Sequence, residues 1–151
     1  MLVKKEVIKC IASFFYVGYL PASGTIASIF AVLIFFILKN NLLIYNISAL
    51  LSIPLALAVS WQGERIFQEK DPHCVVIDEM AGMFVSFLFV PFKWEYVILG
   101  FIFFRFFDIL KIYPLKKIEK LPGGFGIVMD DMCAAVYTNL ILRALIKTGL
   151  F

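Results

Sequence analysis

Two pairs of adjacent carboxylates, Asp78-Glu79 and Asp130-Asp131, each stand against a run of uncharged residues. Neighbouring acids in an apolar setting repel one another and lose hydration, a cost that a bound cation relieves. A helix N-terminus also favours acids through its dipole, an explanation that suits one acid better than a pair followed by the 13 uncharged residues 80–92. With oxygen ligands and no Cys/His cluster, such a site favours Mg²⁺ or Mn²⁺ over zinc. The segment Arg105-Phe-Phe-Asp108-Ile-Leu-Lys111-Ile-Tyr-Pro114 spaces its charges by three, which predicts one helix face. It reads either as an intrahelical ion pair or, beside a metal-binding Asp, as an Arg and a Lys suited to a phosphate ester.

Two further segments offer backbone. Gly123-Gly124-Phe-Gly126 precedes the second acid pair, and glycines let the chain approach a ligand while consecutive N–H groups cradle an anion. Gly18-Tyr-Leu-Pro21-Ala-Ser23-Gly24-Thr25 places hydroxyls and amides at a helix start, as a cap or as a phosphate contact. Other chemistries are excluded. His73 is the only histidine, so a two-histidine phosphatase is ruled out, and it reads as incidental in its polar loop. No cysteine has an Arg six positions later, and no Asp-x-Asp occurs. Cys10, Cys74 and Cys133 form no CxxC pair and read as reduced thiols packed as small hydrophobes.

The elements that must position these residues are membrane helices. Of 151 residues 62% are hydrophobic and 17% charged, with 17 Phe, an excess that a small water-soluble domain could not bury. The composition likewise excludes disorder and a disulfide-stapled module. A net charge of +3 without a basic, aromatic-interleaved stretch gives nucleic acid binding no support. The expected fold is all-α, one integral-membrane domain over 1–151: a polytopic helical bundle of about five hydrophobic helices, or four plus a re-entrant segment. An amphipathic N-terminal helix should end near Tyr16, with a turn at 18–24. Spans follow at about Thr25–Leu38 and Leu42–Trp61, the latter an uncharged 20-residue stretch able to cross about 30 Å of hydrocarbon. The shorter stretches 80–92, 96–104 and 132–142 complete the set. Asp78 and Glu79 would begin the third helix, Arg105 and Asp108 end the fourth, and Asp130 and Asp131 begin the fifth. Lys4, Lys5 and Lys9, then Ile11–Leu20 and Pro21-Ala-Ser-Gly24, imitate a secretory signal. Gly18 and Pro21 interrupt it and hydrophobicity resumes at Ile26, so the segment is read as retained.

Basic residues set the orientation. With the N-terminus inside, the inner segments hold Lys4, Lys5, Lys9, Arg65, Lys70, Lys111, Lys116, Lys117 and Lys120, and the outer turns only Lys39 and Lys93, with Lys147 in the tail. Trp61 and Trp94 then fall at helix ends. This topology brings the 18–24 turn, the loop 62–79 and the loop 105–131 to one face, with every acid except Glu95, and such convergence suggests a site.

In this order and over nearly the whole chain, Gly18 to Thr25, Asp71 with Val-Ile-Asp78-Glu79-Met-Ala-Gly82, Arg105 to Pro114 and Gly123 to Asp131 resemble the phosphatidylglycerophosphatase A family. The resemblance implies a bacterial inner-membrane, Mg²⁺-requiring enzyme that takes phosphate from phosphatidylglycerophosphate to give phosphatidylglycerol, and it carries no role onto His73. On this reading Asp78, Glu79, Asp130 and Asp131 supply most Mg²⁺ ligands, and Asp108 is a ligand or orients the attacking water. Arg105 and Lys111 hold phosphate oxygens, while Ser23, Gly24, Thr25, Gly123 and Gly124 line the headgroup pocket. The substrate sits in bilayer lipid, and the aromatic and apolar faces could serve lipid contact or a homo-oligomer. Two rivals fit less well. An ion transporter should show midplane acids and an internal repeat, and a CDP-alcohol phosphotransferase should show an Asp-Gly-x2-Ala-Arg core.

Overall fold

The computed structural model describes residues 2–113, 115–119 and 121–149, with side chains from Lys5 onward. Pro114, Lys120 and the Lys4 side chain, which figured in the motif and the charge reading, lie outside the described residues. Seven helices and no strand occur among the described residues: α1 Leu2–Ala12, α2 Ser23–Ile37, α3 Leu42–Phe67, α4 Ile77–Ser86, α5 Trp94–Leu110, α6 Leu115–Ile118 and α7 Gly124–Thr148. The all-α expectation holds. The expectation of about five spans, or four plus a re-entrant segment, is not confirmed: among the described residues two helices, α3 with 26 residues and α7 with 25, are long and apolar enough to cross a membrane. At 1.5 Å per residue they reach about 39 and 38 Å. α2 is apolar but has 15 residues.

The third expected stretch does not form a helix of spanning length, for a physical reason. Its hydrophobicity serves burial within the protein: nine of the ten residues of α4 are buried. α4 packs against α2, α3, α5 and α7, and a short helix buried on all sides beyond its acidic first turn is a core element. It ends at Ser86, and its exposed backbone is met by side chains. Tyr45 Oη donates to the Phe84 carbonyl at 2.8 Å, and Asn139 Nδ2 donates to the carbonyls of Ser86 and Leu88 at 3.0 and 2.9 Å. The Phe89 N–H donates to Asn46 Oδ1 at 2.9 Å. A stacked pair, Phe35 on Phe87 with centroids 4.7 Å apart, packs this end, with Tyr45 4.5 Å from Phe35.

Other boundaries also shift. α1 stops at Ala12, four residues before the expected end, where Ser13 Oγ donates to the Lys9 carbonyl at 2.7 Å and Phe14, Phe15 and Tyr16 all take positive φ. α3 runs on past Trp61 to Phe67, and α7 begins at Gly124, so Asp130 and Asp131 lie in its second turn, not at its start. Outward, Leu43, Ile47, Leu51 and Leu55 of α3 and Ile98, Ile102 and Ile109 of α5 are exposed, a density of large apolar side chains typical of a lipid or partner contact. The three cysteines are free and half-buried.

Candidate functional site

The N-terminal turns of α2 and α4, the C-terminal end of α5 and the second turn of α7 meet around a cavity of about 270 Å³. Its walls carry six carboxylates (Asp71, Asp78, Glu79, Asp108, Asp130 and Asp131) against Arg105, Lys111 and His73. Asp78 and Glu79 occupy the first turn of α4, where the helix dipole favours them. Asp131 arrives from α7. One carboxylate oxygen from each of Asp78, Glu79 and Asp131 lies within 4.8 Å of the others. Asp78 and Asp131 are 4% exposed each and Glu79 is half-buried, so the trio is largely shielded from water.

Asp78 Oδ1 and Glu79 Oε2 are buried with no hydrogen-bond partner among the described residues. Buried polar atoms are nearly always satisfied, and orphaned oxygens on clustered carboxylates are what a cation would occupy. The donors are all hard oxygens, so the trio fits a hard divalent ion. Asp130, expected beside them, is committed elsewhere: its Oδ2 accepts from Lys111 Nζ at 2.8 Å, and its Oδ1 from the Asp131 N–H at 3.1 Å. Lys111 Nζ also donates to Glu119 Oε1 at 2.8 Å.

The single helix face expected for Arg105, Asp108 and Lys111 stops short. Arg105 Nη1 donates to Asp108 Oδ2 at 2.6 Å within α5, so the ion pair is real, yet both residues line the cavity. Lys111 is the C-cap of α5 in the left-handed region, φ 45, and this reversal aims its ammonium at α7 and Glu119. Burial alone would lower its pKa, but the bonds and charges of Asp130 and Glu119 outweigh it and hold Lys111 above the ordinary lysine value. Arg105 Nε is buried without a partner among the described residues.

Of the expected headgroup residues, Ser23 and Gly24 line the cavity and Thr25 does not. Gly24 permits a close approach: a Cβ there would collide with the Glu79 carboxylate and stand 3.2 Å from Arg105 Nη1. Gly123 and Gly124 also lie outside the lining. Gly123 takes φ +68, and a Cβ on it would stand 2.6 Å from the Trp61 ring, while one on Gly124 would collide with the Trp61 backbone. Their smallness serves α3–α7 packing. Sequence reasoning gave no role to Asp71 and set His73 aside, yet both face the cavity. Asp71 sits at φ 53, in a conformation few non-glycine residues adopt, and burial foremost raises its carboxyl above the ordinary value. Its place in the short loop that leads into the first turn of α4 was the available signal.

Chemically, a carboxylate trio that fits a cation stands beside two cations and the amide end of α2, an arrangement suited to a phosphate group. The family model described as Phosphatidylglycerophosphatase A matches residues 10–146. A Bacteroides thetaiotaomicron protein named "Putative phosphatidylinositol-3-phosphatase" is 35% identical over 126 residues, covering 80% of this chain and 79% of its own length. The Phosphatidylglycerophosphatase A of Haemophilus influenzae is 40% identical over 77 residues, 50% of this chain and 47% of that one. That of Escherichia coli K12 is 30% identical over 101 residues, 66% and 59% respectively. The matched region therefore spans about half and three-fifths of those two relatives. No solved structure matches the chain.

Proposed function

The chain belongs to the phosphatidylglycerophosphatase A family, and from that premise we propose that it hydrolyses the phosphate monoester of phosphatidylglycerophosphate, releasing phosphatidylglycerol and phosphate. The reaction takes place at the cytoplasmic face of a bacterial inner membrane that the chain crosses more than once, with Mg²⁺ as cofactor. The observation that carries this reading is the trio Asp78, Glu79 and Asp131 within 4.8 Å, in one cavity with Arg105 and Lys111.

Asp78, Glu79 and Asp131 hold the metal. When bound, Mg²⁺ supplies charge neutralisation and Lewis acidity to the phosphoryl oxygens. Arg105 and Lys111 take non-bridging oxygens, and most of the catalysis is positioning and charge stabilisation. Asp108 holds the Arg105 guanidinium at 2.6 Å, lies outside the carboxylate trio, and orients the attacking water. Asp130 and Glu119 fix the Lys111 ammonium from two sides, each at 2.8 Å. Ser23 and the amide of Gly24 meet the phosphate at the α2 N-terminus. A second substrate reading, the 3-phosphate of a phosphoinositide, is favoured by the name of the Bacteroides relative, whose match covers more of the chain than the other two.

The test is phosphate release by the detergent-purified protein from phosphatidylglycerophosphate and, in parallel, from phosphatidylinositol 3-phosphate, with Mg²⁺ and with EDTA. Asp78→Asn and Asp131→Asn should each lower release by more than about 100-fold, the scale already reached when a ligand's outer-shell partner is lost. Asp130→Asn should keep the metal and act through KM, raised roughly tenfold for one charge-assisted bond to Lys111. Faster release from the phosphoinositide would transfer the substrate assignment to it. No Mg²⁺-dependent release from either lipid overturns the proposal.

A further inference from the structure

The outer flank of α5 carries an apolar groove of about 450 Å³ bounded by Phe101, Ile102, Arg105, Phe106, Ile109 and Leu110. Through Phe101 and Ile102 it meets a second groove of about 250 Å³ between α5 and α2, walled by Ile29, Leu33 and Ile98. Ile98, Ile102, Arg105 and Ile109 are spaced by four, three and four and so form one stripe. The stripe is about 16 Å long at 1.5 Å per residue, room for most of one fatty acyl chain. Its isoleucines are 56, 53 and 68% exposed, in chain order.

Arg105 borders both this apolar stripe and the acidic cavity. Its head pairs with Asp108 on the cavity side, and its Nε is buried without a partner among the described residues. Arginine suits such a boundary because its methylene stem lies along apolar surface while its head stays polar. The groove on α3, at Pro54, Leu57, Trp61 and Phe125, is apolar too, but it shares no lining residue with the cavity. We infer that one acyl chain of the phosphorylated lipid lies along the α2–α5 flank, its headgroup turning over Arg105 into the cavity. This rests on the lipid-phosphatase reading and adds where the lipid body is held: α5 sorts substrates by chain length as well as by phosphate.

Two measurements test it. The first is the ratio of kcat/KM for dioleoyl over dihexanoyl phosphatidylglycerophosphate in wild type, Ile102→Trp and Leu51→Trp, the last an exposed α3 position away from the stripe. Ile102→Trp fills the groove and should lower the ratio about tenfold, the equivalent of displacing a few methylenes from apolar contact; Leu51→Trp should leave the ratio as in wild type. The second measurement does not depend on turnover. A phosphatidylglycerophosphate with a diazirine in one acyl chain, in phosphatidylcholine vesicles, should crosslink wild-type protein within residues 98–109. Phosphatidylcholine bearing the same diazirine should label those residues several-fold less. An unchanged ratio in Ile102→Trp, or equal labelling by the two probes, overturns the inference. If wild type hydrolyses neither chain length but the phosphate-bearing probe still prefers residues 98–109, the phosphatase reading fails and the acyl-chain site stands.

Discussion

Adjacent acids on a helix diverge, because successive side chains are about 100° apart around the axis. Asp130 and Asp131 show the consequence: Asp131 turns toward α4 and joins Asp78 and Glu79, while Asp130 turns toward Lys111. The same scale governs Gly24, which leaves room where the Glu79 carboxylate and the Arg105 guanidinium come closest to α2. Gly24→Ala should therefore displace both charged groups by a fraction of an ångström to about one. Misplacement on that scale costs up to about 100-fold in rate. We expect kcat for phosphate release to fall by roughly that factor with the melting temperature nearly unchanged, measured on the same purified sample. Normal kcat would remove Gly24 from the site.

At the scale of elements, the convergence of helix ends does the positioning. α2 and α4 each present an N-terminus to the cavity, α5 its C-terminus, and α7 its second turn. α7 reaches that depth because Gly124 lets it lie against the backbone of α3 at Trp61. Gly124→Ala should force the two helices apart at an overpacking cost of about 1–3 kcal/mol. Its effect should thus be the mirror image of Gly24→Ala: a lower midpoint of thermal or denaturant unfolding, with kcat near wild type in the folded fraction. A lost kcat at unchanged stability would mean that Gly124 belongs to the headgroup pocket after all. The short α4 was the element least legible beforehand. Its charge-free stretch is shared by a spanning helix and a buried one, and length alone did not separate them until the turn after Ser86 was known.

For the whole molecule, six carboxylates around one cavity against Arg105, Lys111 and His73 leave an excess of negative charge that folding brings together. A cation that binds only the assembled trio stabilises the folded state by mass action. Mn²⁺ at about 100 times its dissociation constant should add about 2.7 kcal/mol, equivalent to a rise of roughly 5–11 °C in melting temperature for a chain of this size. The rise should be absent in Asp131→Asn and present in Asp130→Asn, followed by thermal unfolding in detergent with EDTA as reference. No shift in wild type would show that the trio holds no such ion. The exposed apolar face of α5 completes the same architecture, because Arg105 borders both it and the acidic cavity.

Residue identity and order were enough to determine that the protein is helical and strongly apolar, that its acids fall mainly in the segments 62–79 and 105–131, and that its motifs are those of one family, whose model matches residues 10–146. These depend on composition and local spacing, which the chain carries along its length. Tertiary structure alone decided which acid of the second pair joins the first, that Lys111 turns off α5 to brace Asp130 and Glu119, that Asp71 and His73 face the cavity, and that Gly123 and Gly124 serve packing. Each of those depends on how far a helix runs and how it is rotated against its neighbours. Hydropathy along one strand of sequence is blind to rotation, and the same apolar stretch can face lipid or the inside of a bundle.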